Sequence, residues 1–240
     1  LTAVQQEADS RRSRRNAHDT VALVGYTNAG KSSLMRALTG TEVLVKDQLF
    51  ATLDTTVRPL EPRTKPVVFI SDTVGFIKKL PHDLVASFRS TLEEAREAAL
   101  LLFVVDASDP EWRAQFEVTR TVLGEIGAGD MPSKLLFNKA DRLDDDARLA
   151  FESEFPGCLV LSAHRPEDIA SLHATISTFF ERSMVEAELV VPYRHGKFVN
   201  QIHESCTVLG EAFEEEGTRM TVKAPQDVLD GLRRALGELN

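Results

Sequence analysis

The sequence predicts an α/β fold, a doubly wound and mostly parallel sheet followed by a small α+β domain, and three observations carry that expectation. Short, continuous apolar runs recur between residues 20 and 161. Segments with helical spacing separate them. Beyond residue 183 the pattern changes to strand, helix, two strands and helix.

The apolar runs are Val21 to Val24, Val67 to Ile70, Leu100 to Val105, Leu135 to Phe137 and Leu159 to Leu161. Their continuity suits strands buried on both faces, as in a parallel sheet covered by helices. Between them Ser32 to Leu38, Pro81 to Ala98, Glu111 to Ile126, Asp145 to Phe155 and Pro166 to Phe180 carry helical spacing. Pro81 and Pro166 suit a first helical turn, and Gly40 suits the position just past a helix end. Val57 to Leu60, joined to Val67 by a proline-containing turn, is expected to be the one antiparallel strand. The last unit is expected to contain a strand at Leu189 to Tyr193 and a helix at Phe198 to Cys206. Two strands around Glu215, Glu216 and Gly217 and a helix at Val228 to Leu239 complete it. The expected division is residues 1–19 as a linker or the end of a preceding domain, 20–183 as the main domain and 184–240 as the small one.

Composition narrows the function. The chain has 240 residues, 42% of them hydrophobic, but no uninterrupted apolar stretch of the roughly 18 residues that a membrane span needs. A soluble, cytoplasmic protein with no membrane partner is expected. The net charge of −9 argues against sequence-specific DNA, since phosphate contacts need clustered cations. Arg11, Arg12, Arg14 and Arg15 do cluster, either as a solvated segment end or as a polyanion contact. Cys158 and Cys206 lie far apart with no metal-ligand spacing, so both are expected to be free, core-leaning thiols.

Four motifs follow four of the predicted strands. Gly25-Tyr26-Thr27-Asn28-Ala29-Gly30-Lys31-Ser32 fits the phosphate-binding loop, between a buried strand and a helix N-terminus, with Ser33 on the same helical turn. Its glycines let backbone N–H groups and the helix dipole face phosphate oxygens; Lys31 would reach the β- and γ-phosphates, and Ser32 would ligate magnesium. Asp72-Thr73-Val74-Gly75 would supply a carboxylate that holds magnesium through water and a glycine N–H for the γ-phosphate. Asn138-Lys139-Ala140-Asp141 offers guanine a carboxylate that accepts from both N1–H and the 2-amino group, donors that adenine lacks in that arrangement. Ser162 and Ala163, with His164 next in the chain, would add a backbone N–H to the guanine carbonyl. Together these imply GTP and GDP as ligands, Mg²⁺ as cofactor and a fold of the P-loop GTPase type. A P-loop kinase is disfavoured, because kinases do not share this guanine pocket.

A threonine that closes over magnesium and the γ-phosphate is still needed, and spacing leaves Thr52, Thr55 and Thr56 open. The segments GYTNAGKSSLMRALTG, DQLFATLDTT, DTVGFIKKLPHDLVASFRSTLEEA and NKAD together resemble the HflX GTPases. In that family the threonine of FATLD ligates magnesium. The resemblance therefore implies Thr52, with Phe50, Ala51, Leu53 and Asp54 beside it in the nucleotide site. Thr52 then joins Lys31 and Gly75 as the catalytic set, and Ser32 and Asp72 as metal ligands. The resemblance also implies a further domain before this one, action on the large ribosomal subunit in splitting or rescue under stress, and hydrolysis stimulated by the ribosome. Phe76 follows Gly75, where many switch GTPases place a water-orienting glutamine. Phenylalanine makes no such hydrogen bond, so either another group orients the water or a partner completes the site. The competing expectation is a nucleotide-dependent switch that recruits a non-ribosomal partner, with slow hydrolysis as its reset.

Overall fold

Burial follows the apolar runs closely, and the sheet forms where they pair. The computed structural model describes residues 20–40, 56–73, 75 and 94–237. These fall into two compact units, one within Leu1–Pro62 and Phe69–His173, the other within Arg63–Val68 and Ala174–Asn240.

The first unit holds a six-stranded sheet of β1 (Thr20–Val24), β2 (Thr56–Pro59), β3 (Phe69–Asp72), β4 (Leu100–Asp106), β5 (Ser133–Asn138) and β6 (Leu159–Val160), in the order β2-β3-β1-β4-β5-β6. Every pairing is parallel except β2 with β3. Val21, Ala22, Leu23 and Val24 are all fully buried, which is why β1 sits in the middle. Helix α1 (Lys31–Thr39) buries Leu34, Met35 and Leu38, and ends where Gly40, in the left-handed conformation, donates its N–H to Arg36 O at 3.0 Å. Helices α2 (Trp112–Glu125) and α3 (Asp145–Glu154) follow, and then α4 (Pro166–Glu181), whose residues from Ala174 onward belong to the second unit. The Asp144 carboxylate caps α3 by accepting the Ala147 N–H at 2.8 Å. An aromatic cluster joins α2 and α3 to the sheet: Phe137 lies 5.0 Å from Trp112 and 4.2 Å from Phe151, ring centre to ring centre.

In the first unit, β3 and β6 differ from the sequence expectation in ways that bear on the site. β3 is Phe69–Asp72, displaced toward the C-terminus from Val67 to Ile70. The reason is local: the Thr64 hydroxyl accepts the Val68 N–H at 3.0 Å and donates to Pro66 O at 2.8 Å, so residues 64–68 form a braced turn. Asp72 is consequently the last residue of the strand. β6 pairs only over Leu159–Val160, although the Leu161 N–H still donates to Phe137 O at 2.9 Å. Of the helix expected at Pro81 to Ala98, residues 94–97 are helical and 81–93 lie outside the described residues.

The second unit has a three-stranded antiparallel sheet, β7 (Met184–Val191), β8 (Thr207–Glu214) and β9 (Gly217–Pro225), in the order β7-β9-β8, with helices α5 (Lys197–Ser205) and α6 (Gln226–Gly237). One sheet face supplies Leu189, Val191, Met220 and Val222 to a core completed by Ile202, Leu229 and Leu232. β7 begins at Met184, five residues before the expected Leu189, because Glu186 and Glu188 alternate outward from a half-buried strand. It ends at Val191, and Tyr193 belongs to a short 3₁₀ turn. Cys206 is buried in this core, Cys158 is half-buried beside the aromatic cluster, and burial pushes both thiols above their ordinary pKa. Among the described residues no helix is long and apolar enough to cross a membrane.

Candidate functional site

The carboxyl ends of β1, β3, β5 and β6 carry the four motifs, and the first unit brings them to one end of its sheet. Backbone conformation shapes the phosphate loop. Gly30 precedes α1 with φ 96° and Asn28 has φ 61°, both in the left-handed region that curls the chain and turns N–H groups inward. A Cβ on Gly25 would strike the carbonyl oxygen of Val104, and one on Gly30 would strike the Asn138 amide. Tyr26, Thr27 and Ala29 complete the turn, in which the Ala29 N–H donates to Tyr26 O at 3.3 Å.

Lys31 opens α1 and folds back over the loop, its Nζ donating to the carbonyls of Gly25 at 3.1 Å and Tyr26 at 2.9 Å. Burial lowers its pKa to about 8, against the opposing pull of Asp72. A buried ammonium whose hydrogen bonds go to neutral carbonyls, with the Asp72 carboxylate as a nearby charge, is a cation suited to an anion. On the next residue, the Ser32 hydroxyl donates to Asp72 Oδ2 at 2.7 Å. A hydroxyl and a carboxylate together at a helix N-terminus form a hard-oxygen set of the kind magnesium takes, so these residues fit the expected ion. Asp72 is fixed because the next residue, Thr73, is tied to β1: its hydroxyl donates to Leu23 O at 2.7 Å. Gly75 passes close to the loop, where an added Cβ would lie 2.8 Å from Thr27 Cα and 3.0 Å from Lys31 Nζ. Ser33 follows Ser32 on the first turn of α1.

The side expected to read the base is a hydrogen-bonded lattice. Asn138 ends β5; its Nδ2 donates to Ala29 O at 2.9 Å and its Oδ1 accepts the Ala163 N–H at 3.2 Å. Lys139, at φ 63°, turns the chain so that Asp141 follows in a 3₁₀ turn. The Ser162 hydroxyl donates to Asp141 Oδ1 at 2.5 Å, and this bond holds the Asp141 carboxyl below its ordinary pKa against a smaller opposing effect of burial. Asp141 is thereby kept as an acceptor. The Ser162 Oγ also accepts the His164 N–H at 3.2 Å, while the Ser162 N–H donates to Asp168 Oδ2 at 2.8 Å.

Two supporting residues were not among the sequence candidates. Asp106, the last residue of β4, pairs with Lys139 at 2.7 Å, and Asp168, in the first turn of α4, holds the Ser162 backbone. The only sequence signal for either is a carboxylate beside a strand or helix end. Arg58 sits on β2 opposite Ile70, two ladder positions from the Thr56–Asp72 pair. The expected Phe50, Ala51, Thr52, Leu53, Asp54 and Val74, together with Phe76, lie outside the described residues.

Comparison with known proteins matches residues 20–139 to a family model described as 50S ribosome-binding GTPase. The chain is 58% identical over 236 residues to the GTPase HflX of Gluconacetobacter diazotrophicus, covering 98% of this chain and 52% of that protein. It is 39% identical over 222 residues to the GTPase HflX of Escherichia coli, covering 91% of this chain and 52% of that protein. The chain thus spans about half the length of the curated relatives it matches. A crystal structure of Era in complex with MgGDPNP and part of 16S ribosomal RNA shares the fold, with a TM-score of 0.53 and 22% identity over 67% of this chain and 56% of that one.

Proposed function

The chain belongs to the HflX family of GTPases, and on that footing we propose that it is a magnesium-dependent switch that binds and hydrolyses GTP and acts on the large ribosomal subunit. The observation that carries the reading is the double contact of Asn138, which ties the phosphate loop at Ala29 to the base loop at Ala163. One ligand spanning a phosphate cradle and a guanine reader accounts for both.

In this reading the backbone N–H groups of residues 25–30 and the α1 N-terminus bind the phosphates, and Lys31 exchanges its carbonyl partners for phosphate oxygens. Asp141 accepts from guanine N1–H and the 2-amino group, with Ser162 fixing its orientation. Ser32, Asp72 and, by family resemblance, Thr52 would hold magnesium, which when bound neutralises charge developing on the phosphates. The Gly75 N–H is directed at the γ-phosphate; its approach to Thr27 and Lys31 supports this, since a side chain at that position would close the space. Phe76 offers no hydrogen bond to the attacking water, and of the two alternatives that leaves, this reading takes the one in which the partner completes the catalytic site. A ribosomal partner implies work in the cytoplasm. The likeness extends over residues 184–240, which we take as a domain distinct from the GTP-binding domain of residues 20–183.

The test is sedimentation with purified large subunits under GTP, GDP and a non-hydrolysable GTP analogue. Co-sedimentation that depends on the γ-phosphate is expected. Co-sedimentation indifferent to nucleotide, or none at all, would remove the ribosomal part of the reading. Nucleotide-dependent capture of a different partner would favour the recruitment switch.

A further inference from the structure

We infer that Asp106 is a positioning residue for nucleotide retention, acting through Lys139 to brace the base loop against the phosphate loop. The inference deepens the guanine-nucleotide reading and rests on it. β4 and β5 run parallel with Asp106 opposite Asn138, and the Ala107 N–H donates to Asn138 O at 2.9 Å. Asp106 therefore stands beside the strand end from which Lys139 departs in the left-handed conformation. Lys139 Nζ donates to Asp106 Oδ2 at 2.7 Å and to Asn28 O at 2.8 Å. Asn28 is the loop residue that also has positive φ. The chain of contacts thus runs from β4 through the Lys139 ammonium into the phosphate cradle.

Burial makes the pair matter. The side chains of Lys139 and Asp106 are only 17% and 13% exposed, so the ion pair is poorly screened by solvent, unlike the open surface pair of Arg113 and Glu154 at 61% and 45%. With the ammonium pinned at its tip, the aliphatic stem of Lys139 is held in one conformation at the base loop. Losing the carboxylate would free the stem and leave Asn28 O with a mobile donor. Retention of any purine nucleotide would fall, because the brace does not read the 2-amino group.

The simpler role for Asp106 is the turn after β4. Its Oδ1 accepts both the Ser108 N–H at 3.0 Å and the Ser108 hydroxyl at 2.6 Å. The two oxygens divide the roles, and chemistry separates them. Asp106→Asn keeps an oxygen for the turn but presents an amide donor to Lys139. Ser108→Ala removes the hydroxyl contact and leaves the ion pair.

The experiment measures dissociation of a fluorescent GDP and a fluorescent IDP from wild type, Asp106→Asn, Ser108→Ala, Lys139→Met and the Asp106→Asn/Lys139→Met double variant, with thermal melting as the folding control. Asp106→Asn is expected to release both nucleotides about tenfold faster, in line with the loss of one buried charge-assisted bond. Ser108→Ala should behave like wild type, and the double variant like Lys139→Met alone. Asp106→Ser, which also lacks the charge, is the second variant if the asparagine form melts early, and the same loss is expected. Wild-type dissociation from the uncharged variants, an equal loss in Ser108→Ala, or losses that multiply in the double variant would each overturn the inference while leaving guanine binding intact. Failure of the wild type to bind either nucleotide would instead overturn the functional reading, and this inference with it.

Discussion

Asn138 donates to one loop and accepts from another, and under the proposed function the residues around it would divide recognition of a nucleotide into chemically separate tasks. In the proposed reading Lys31 would supply charge to phosphate, and Asp141 would supply the acceptor for guanine. Lys31→Ala is expected to weaken GTP and GDP binding alike, by about 2 kcal/mol, since the charge-assisted contact falls on phosphates that both nucleotides share. Calorimetric affinities equal to wild type would contradict this. Asp141→Asn should exchange guanine for xanthine preference: the amide donates where the carboxylate accepted, and xanthine carries an oxygen in place of the 2-amino group. Competition between GDP and XDP measures it. Continued preference for GDP would mean that Asp141 does not read the base.

The strand ends hold these residues in place, and the aromatic cluster is what holds β5. Phe137, fully buried and directly before Asn138, packs against Trp112, Phe151 and Phe155. Phe137→Ala should cost about 3 to 5 kcal/mol in chemical denaturation, with weaker nucleotide binding at temperatures where the variant is still folded. A loss below about 1 kcal/mol would show that the cluster relaxes around the cavity. At this scale much was legible in the residues themselves. Continuous apolar runs located β1, β4 and β5, and Gly40 marked the end of α1. The shift of β3 was not legible, because it depends on the Thr64 side chain taking the Val68 N–H away from a ladder. The start of β7 was missed for a different reason: a strand with one wet face alternates, and continuous apolarity is the wrong signal for it. Asp106 and Asp168 were invisible because their roles come from the register of β4 against β5 and from the approach of α4 to the Ser162 loop, neither of which motif spacing encodes.

At the level of the whole molecule, the proposed nucleotide site on one unit accompanies a second unit with its own core, and the second unit carries 6 basic and 10 acidic residues from Val185 onward. That balance disfavours bulk electrostatic attraction to RNA as its role. Under the proposed function the large ribosomal subunit would finish the catalytic site of this GTPase. The most direct test of that claim is single-turnover GTP hydrolysis by the protein, with and without purified large subunits. The account predicts slow hydrolysis by the protein alone and acceleration on adding subunits, with room for a factor of about 10³ or more where a partner supplies a missing transition-state contact. Hydrolysis at or above about one turnover per second without any partner, on the scale of completed sites, would contradict it, since the water would then be oriented from within the chain despite Phe76.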